Sequence, residues 1–262
     1  MNERFLMCPP DHFGVIYEIN PWMDSKNNVD HDKAVKQWDN LYNKISSLSS
    51  VELIDPQPHL PDMVFTANAG FVFGEKQVIL SNFLHEERKK EEPLFEKWFK
   101  EDGFDVHKIQ KPFEGAGDCF KIENDLYVGY GQRTTKHAYI EILEIISNTR
   151  PVWSPLCDPY FYHLDTCFCP LRDRDALWYE DAFGIGHRYE PEHELNVIKV
   201  PKYEARRFAC NAVLINEEDV MIPSGCPQTI DKLRKNGYTP HEFEMSEYIK
   251  SGGACKCLTL KL

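Results

Sequence analysis

Apolar residues at Ala34, Trp38, Leu41, Ile45 and Leu48 recur at spacings of four and three, so Asp30–Leu48 is predicted to be an amphipathic helix with Asp30 as its N-cap. Shorter apolar runs separated by Asn and Gly predict strands at Val51–Ile54, Met63–Phe73 and Gln77–Leu80. Arg88–Lys100 reads as a helix despite Pro93, followed by strands at Phe104–Ile109, Cys119–Ile122 and Leu126–Tyr130. A helix over Thr135–Ser147 sets Tyr139, Ile142 and Ile146 on one face. Strands are expected next at Tyr160–Pro170, Ala176–Tyr179, Val197–Val200, Cys210–Ile215 and Asp219–Ile222. A helix at Thr229–Asn236 and a final strand at Cys257–Leu262, after Gly252-Gly253, complete the pattern.

Groups of short strands with single helices recur roughly every 40 to 55 residues, the pattern of repeated β-rich α/β units. No Pro/Ser/Gly-rich linker interrupts them, so residues 1–262 are read as one domain. A plain open α/β sheet would give a similar succession.

Composition narrows the partners. With 42% apolar and 27% charged residues and a net charge of −12, the chain reads as a globular protein whose average field repels nucleic acid and anionic lipid surfaces. A cationic small molecule is favoured instead. No apolar run approaches the roughly 20 residues of a membrane span, and the N-terminus lacks signal-peptide character, so a cytoplasmic protein is expected. A homo-oligomer is left open. Nine scattered cysteines favour free thiols over a disulfide framework. Cys167/Cys169 and Cys255/Cys257 form Cys-x-Cys pairs, but without Cys-x-x-Cys or His-x-x-x-His spacing neither a metal nor a cofactor is expected; a zinc-holding thiol protein is the alternative.

Four segments set reactive groups beside glycines: Pro61–Gly70, Phe113–Asp118, His163–Cys167 and Ser251–Leu260. Cys257 offers a nucleophile whose pKa Lys256 and the Gly-Gly approach would lower; the alternative is an inert strand thiol. In His163-Leu164-Asp165, a strand would turn the imidazole and the carboxylate to one pocket and Leu164 to the core, although a histidine of this kind also serves purely structural ends. Glu114 and Asp118 flank Gly-Ala-Gly, either as carboxylates held at a site or as a solvated acidic turn.

In this order, the segments resemble the amidinotransferase and guanidine-modifying superfamily, the pentein fold, from Met7-Cys8-Pro9-Pro10 to the last strand. The resemblance implies a five-bladed pseudo-symmetric α/β propeller and a hydrolase acting on L-arginine, with Cys257 as nucleophile and His163 and Glu114 as catalytic partners. It also implies that Asp165 binds the guanidinium, with Asp118 and Asn20 among the substrate-binding residues. Arg88 and Arg133 resemble the cations that hold an α-carboxylate, unless they are surface charges. Arginine deiminases and dimethylarginine hydrolases carry Asp where this chain has Asn68. With Ile19–Met23 and Tyr162–Pro170, this feature looks closest to arginine dihydrolases, which carry arginine through to ornithine. Deiminase activity, dimethylarginine hydrolysis and a non-catalytic binder on the same fold are the alternatives.

Overall fold

The computed structural model describes residues 3–183 and 195–262. Five three-stranded sheets share one plan: a central strand pairs antiparallel with one neighbour and parallel with the other. In the first, Arg4–Met7 lies between Leu260–Lys261 and Ser50–Leu53, so the last strand of the chain pairs with the first. Gln77–Leu80 is flanked by Gly70–Phe73 and Asp105–His107, and Asp125–Tyr130 by Cys119–Ile122 and Arg150–Pro155. Asp175–Trp178 lies between Phe168–Pro170 and Asn196–Lys199, and Asp219–Pro223 between Val213–Leu214 and Thr239–Phe243. The five sheets fit a five-fold pseudo-symmetric arrangement.

Helices make the parallel crossovers in four units: His31–Leu48, Glu92–Glu101, Ala138–Ile145 and Pro227–Lys235. The first carries the expected stripe, with Ala34, Trp38, Leu41 and Ile45 buried and Asp30 Oδ1 accepting from Lys33 N. Burial of Leu41 and Ile45 contributes roughly 1.5–3 kcal/mol each. Pro93 begins its helix rather than breaking it, because the first turn has no intrahelical use for its missing N–H.

Several expected elements are corrected. Met63–Phe73 is not one strand: two 3-10 turns, Pro61–Val64 and Thr66–Ala69, precede Gly70–Phe73. Within Tyr160–Pro170 only Phe168–Pro170 is strand, preceded by the turn Leu164–Thr166. Cys210–Ile215 shortens to Val213–Leu214, and Cys257–Leu262 to Leu260–Lys261. In each case backbone of the lost portion bonds within its own turn instead of a ladder, as Phe65 N does to the Asp62 carbonyl, Cys167 N to Leu164, Asn211 N to Phe208 and Thr259 N to Lys256. Strands at Arg150–Pro155 and Thr239–Phe243 escaped the pattern because they contain proline, which edge strands tolerate.

The antiparallel partner strands of all five sheets, through residues such as Phe73, Phe120, Cys169, Leu214 and Leu260, line one cavity of about 570 Å³. The loops that lead into these strands carry the residues described next.

Candidate active site

Each antiparallel strand is preceded by a buried turn, and the five turns are bonded into a ring. Ala67 N donates to the Cys257 carbonyl (3.1 Å), and Asn68 Nδ2 donates to that of Glu114 (3.2 Å). Leu164 N donates to Asp118 Oδ1 (3.0 Å), Asn211 Nδ2 to the Asp165 carbonyl (3.1 Å), and Cys257 N to Asn211 Oδ1 (3.2 Å). Glycine makes the closure possible. A Cβ on Gly115, at φ +61°, would fall 2.7 Å from the Gly70 carbonyl oxygen, and one on Gly117 would fall 2.4 Å from Asn68 Nδ2.

His163, Glu114, Asp165 and Cys257 meet inside this ring, each at most 2% exposed. His163 Nε2 lies 2.8 Å from Glu114 Oε2, which also accepts from Arg133 Nη1 at 3.0 Å. Burial alone would raise the Glu114 carboxyl, but Arg133 and His163 outweigh it and hold the group well below the usual range. His163 Nδ1 and Asp165 Oδ1 are buried with no hydrogen-bond partner among the described residues. Asp165 is not on a strand shared with His163. The 3-10 turn nonetheless brings both to the cluster while Leu164 stays in the core.

Cys257 Sγ accepts from Asn211 Nδ2 at 3.1 Å and lies 3.5 Å from Asp165 Oδ2. Burial and then the Asp165 charge push this thiol well above its ordinary value, against smaller opposing effects from the Ala254 amide, Asn211 and Lys256. The sequence expectation of a lowered pKa is therefore corrected: Lys256 is present, but desolvation and an anion beside the sulfur dominate. Cys255 and Cys257 do not share a strand face, and all nine cysteines are free.

Cys257 opens onto a narrow cleft whose walls include Asn20, Asn68, Arg88 and Arg133, together with Asp62, Tyr162 and Ser251. The surface-charge alternative for the two arginines is overturned: Arg88 is 2% and Arg133 4% exposed. Arg88 grips Glu91 through Nε and Nη2 (3.0 and 2.8 Å) and donates from Nη1 to Asn68 Oδ1 (2.9 Å). Arg133 lies over the Tyr162 ring at 4.8 Å and donates to the Ile19 carbonyl (2.9 Å). Asn20 accepts from Trp22 N and donates to the Ser251 carbonyl. Asp118 faces His163 rather than the cleft, with Oδ2 accepting from Thr134 at 2.6 Å; burial pushes its carboxyl up to about 6. The solvated-turn alternative for Glu114 and Asp118 is likewise overturned, since both are fully buried.

Sequence reasoning missed Asp62 and Asn211. Asp62 is a buried carboxylate on the cleft wall that accepts from Tyr17 Oη and, more weakly, Ser251 Oγ. Asn211 carries no local motif; the signal for it was its place in the repeat, two residues before an antiparallel strand, as Asn68 is. Among the described residues no cluster of three or more His, Cys, Asp or Glu is arranged to hold a metal, and no helix is long and apolar enough to cross a membrane.

Comparison with known proteins places the chain in a family. The family model for eukaryotic N,N dimethylarginine dimethylhydrolase matches residues 14–262. The bifunctional arginine dihydrolase/ornithine cyclodeaminase ArgZ of Synechocystis sp. is 44% identical over 99% of this chain, which spans 37% of that relative's length. The N(G),N(G)-dimethylarginine dimethylaminohydrolase of Mycobacterium tuberculosis is 36% identical, covering 99% of this chain and 86% of its own. Among solved structures, the N-terminal domain of the cyanobacterial arginine dihydrolase ArgZ, as a cysteine-to-serine mutant bound to substrate, superposes with a TM-score of 0.94 at 41% identity, covering 99% of this chain and 98% of that one.

Proposed function

The chain belongs to the N,N dimethylarginine dimethylhydrolase family, and from that premise we propose that it is an arginine dihydrolase, converting L-arginine to L-ornithine, two ammonia and carbon dioxide. Residues 1–262 would form a single hydrolase domain, the five sheets acting as blades of an α/β propeller. The observation that carries the reading is the meeting of a thiol, an imidazole and two carboxylates beside a neutral amide, Asn68, on the cleft wall.

In this mechanism the guanidinium docks against Asp165, and Cys257 Sγ adds to its carbon as the thiol proton passes to His163. His163, held by Glu114, protonates the departing ammonia and leaves an amidino thioether. Water then adds to that carbon, giving up a proton to His163, and the thiolate is expelled from the ureido product, citrulline. An anion at position 68 would repel the ureido oxygen, whereas an amide donates to it, so citrulline stays bound. A second attack by Cys257 releases the second ammonia and leaves a thiocarbamate. Its hydrolysis yields a carbamic acid that breaks down to ornithine and carbon dioxide. Arg88 and Arg133 would hold the α-carboxylate after exchanging present partners, with Asn20 near the ureido group. Asp118 would contribute from behind, through His163.

Carbon-labelled arginine tests the reading: ornithine with two ammonia per arginine is expected, and Cys257→Ser should abolish turnover. Citrulline as the final product would favour a deiminase. Dimethylarginine hydrolysis is the second reading, favoured by the family model and the mycobacterial relative. Preferential release of dimethylamine from dimethylarginine would select it.

A further inference from the structure

Four of the five converging loops carry residues singled out from the sequence; the fifth carries Asn211, which is fully buried. Its carboxamide is saturated. Oδ1 accepts from Ala254 N (3.0 Å) and Cys257 N (3.2 Å), while Nδ2 donates to the Asp165 carbonyl (3.1 Å) and to Cys257 Sγ (3.1 Å). Two donors and two acceptor sites are all that an asparagine side chain offers in the plane of its amide. The orientation is fixed by its surroundings, since exchanging O and N would set an NH₂ group against two backbone N–H donors. A group present only to close the loops would need the three backbone contacts. The fourth, to sulfur, has a chemical consequence, because a donor aimed at sulfur favours the thiolate over the thiol. Asp165 Oδ2, at 3.5 Å on the same sulfur, acts in the opposite sense.

We infer that Asn211 is the positioning residue of the nucleophile: it fixes the Cys257 loop through two backbone amides and stabilises Sγ as a thiolate for attack. The inference rests on the assignment of Cys257 as nucleophile. Asn211 does not line the cleft, so it acts through the thiol rather than through substrate affinity.

Asn211→Ser removes the N–H···S donor without adding charge. The rate of Cys257 alkylation by iodoacetamide, read by mass spectrometry of its peptide, should fall roughly tenfold or more at pH 8, as expected for loss of a hydrogen bond to a charged group. Its pH profile should move upward, while exposed Cys157 serves as the unaffected control. The kcat for arginine should fall with KM changed by less than about twofold. Asn211→Asp, which keeps the volume and an oxygen for the two amides, should shift the alkylation profile further. A folded variant with the wild-type profile overturns the inference. If neither variant folds, ¹⁵N-asparagine-labelled wild-type protein decides: the Asn211 side-chain resonance must follow the Cys257 titration, and an unmoved resonance also overturns it. Wild-type protein inert toward arginine but with the alkylation result intact would sink the arginine dihydrolase reading and leave this role standing.

Discussion

Asp165 Oδ2 lies 3.5 Å from Cys257 Sγ, so the carboxylate proposed to receive the substrate cation also faces the proposed nucleophile. The two roles separate on mutation. Asp165→Asn removes the anion that, after burial, contributes most to holding the thiol protonated. Alkylation of Cys257 at pH 7.5 should accelerate, while arginine turnover falls by roughly a hundredfold for want of the electrostatic partner. Parallel loss of both rates would count against the proposed role.

Asn68→Asp keeps an oxygen for Arg88 Nη1 but sets an anion against the Glu114 carbonyl, where the amide now donates. The product should shift toward citrulline, because the acid grips a guanidinium and repels a ureido oxygen. Chromatographic quantification of ornithine and citrulline checks this. An unchanged ratio would show that position 68 does not set the number of hydrolytic rounds.

Arg133→Met leaves Glu114 buried without its guanidinium, which should cost about 3–5 kcal/mol at neutral pH. Burial raises the Glu114 carboxyl, but Arg133 and His163 reverse that, so its net stabilisation exists above the unfolded value of 4.5 and is lost as pH falls through the lower folded value. The stability gap between wild type and variant should therefore narrow on acidification below pH 4.5. Denaturant melts at pH 7 and pH 3.5 measure it, and a gap independent of pH would exclude the linkage.

Asp118 predicts the opposite sign. Burial raises its carboxyl from 3.8 to about 6, so the protonated form is favoured in the fold and the contribution present below 3.8 is lost as pH rises toward 6. Wild type should lose on the order of 3 kcal/mol relative to Asp118→Asn between pH 3.8 and 6, with no further change in the difference above that. Thermal melts across that interval test the sign; a constant difference would mean that Asp118 does not titrate there.

Much of the fold was legible. The stripe of His31–Leu48 and the alternation of short strands with helices follow from local periodicity, which survives in any packing that buries those faces. What misled was the apolar character of Met63–Ala69, Tyr160–Thr166 and Cys257–Thr259. Buried turns and buried strands have similar composition, and only the hydrogen-bond partner distinguishes them. Arg150–Pro155 and Thr239–Phe243 were hidden for the converse reason, since proline is permitted by their edge positions.

The sequence by itself determined the inventory: a thiol, an imidazole and carboxylates beside glycines, recurring before the strands of a repeated unit, with Asn68 where the resemblance to deiminases and dimethylarginine hydrolases implies an acid. Such properties are local in the chain. Only the tertiary structure decided how the inventory is wired. It drew Arg88 and Arg133 inside, turned Asp118 behind His163, raised rather than lowered the Cys257 thiol, and set Asn211 against its sulfur. These depend on desolvation and on contacts across as many as 114 residues of chain, between Ile19 and Arg133, and neither is encoded in the neighbours of any one residue.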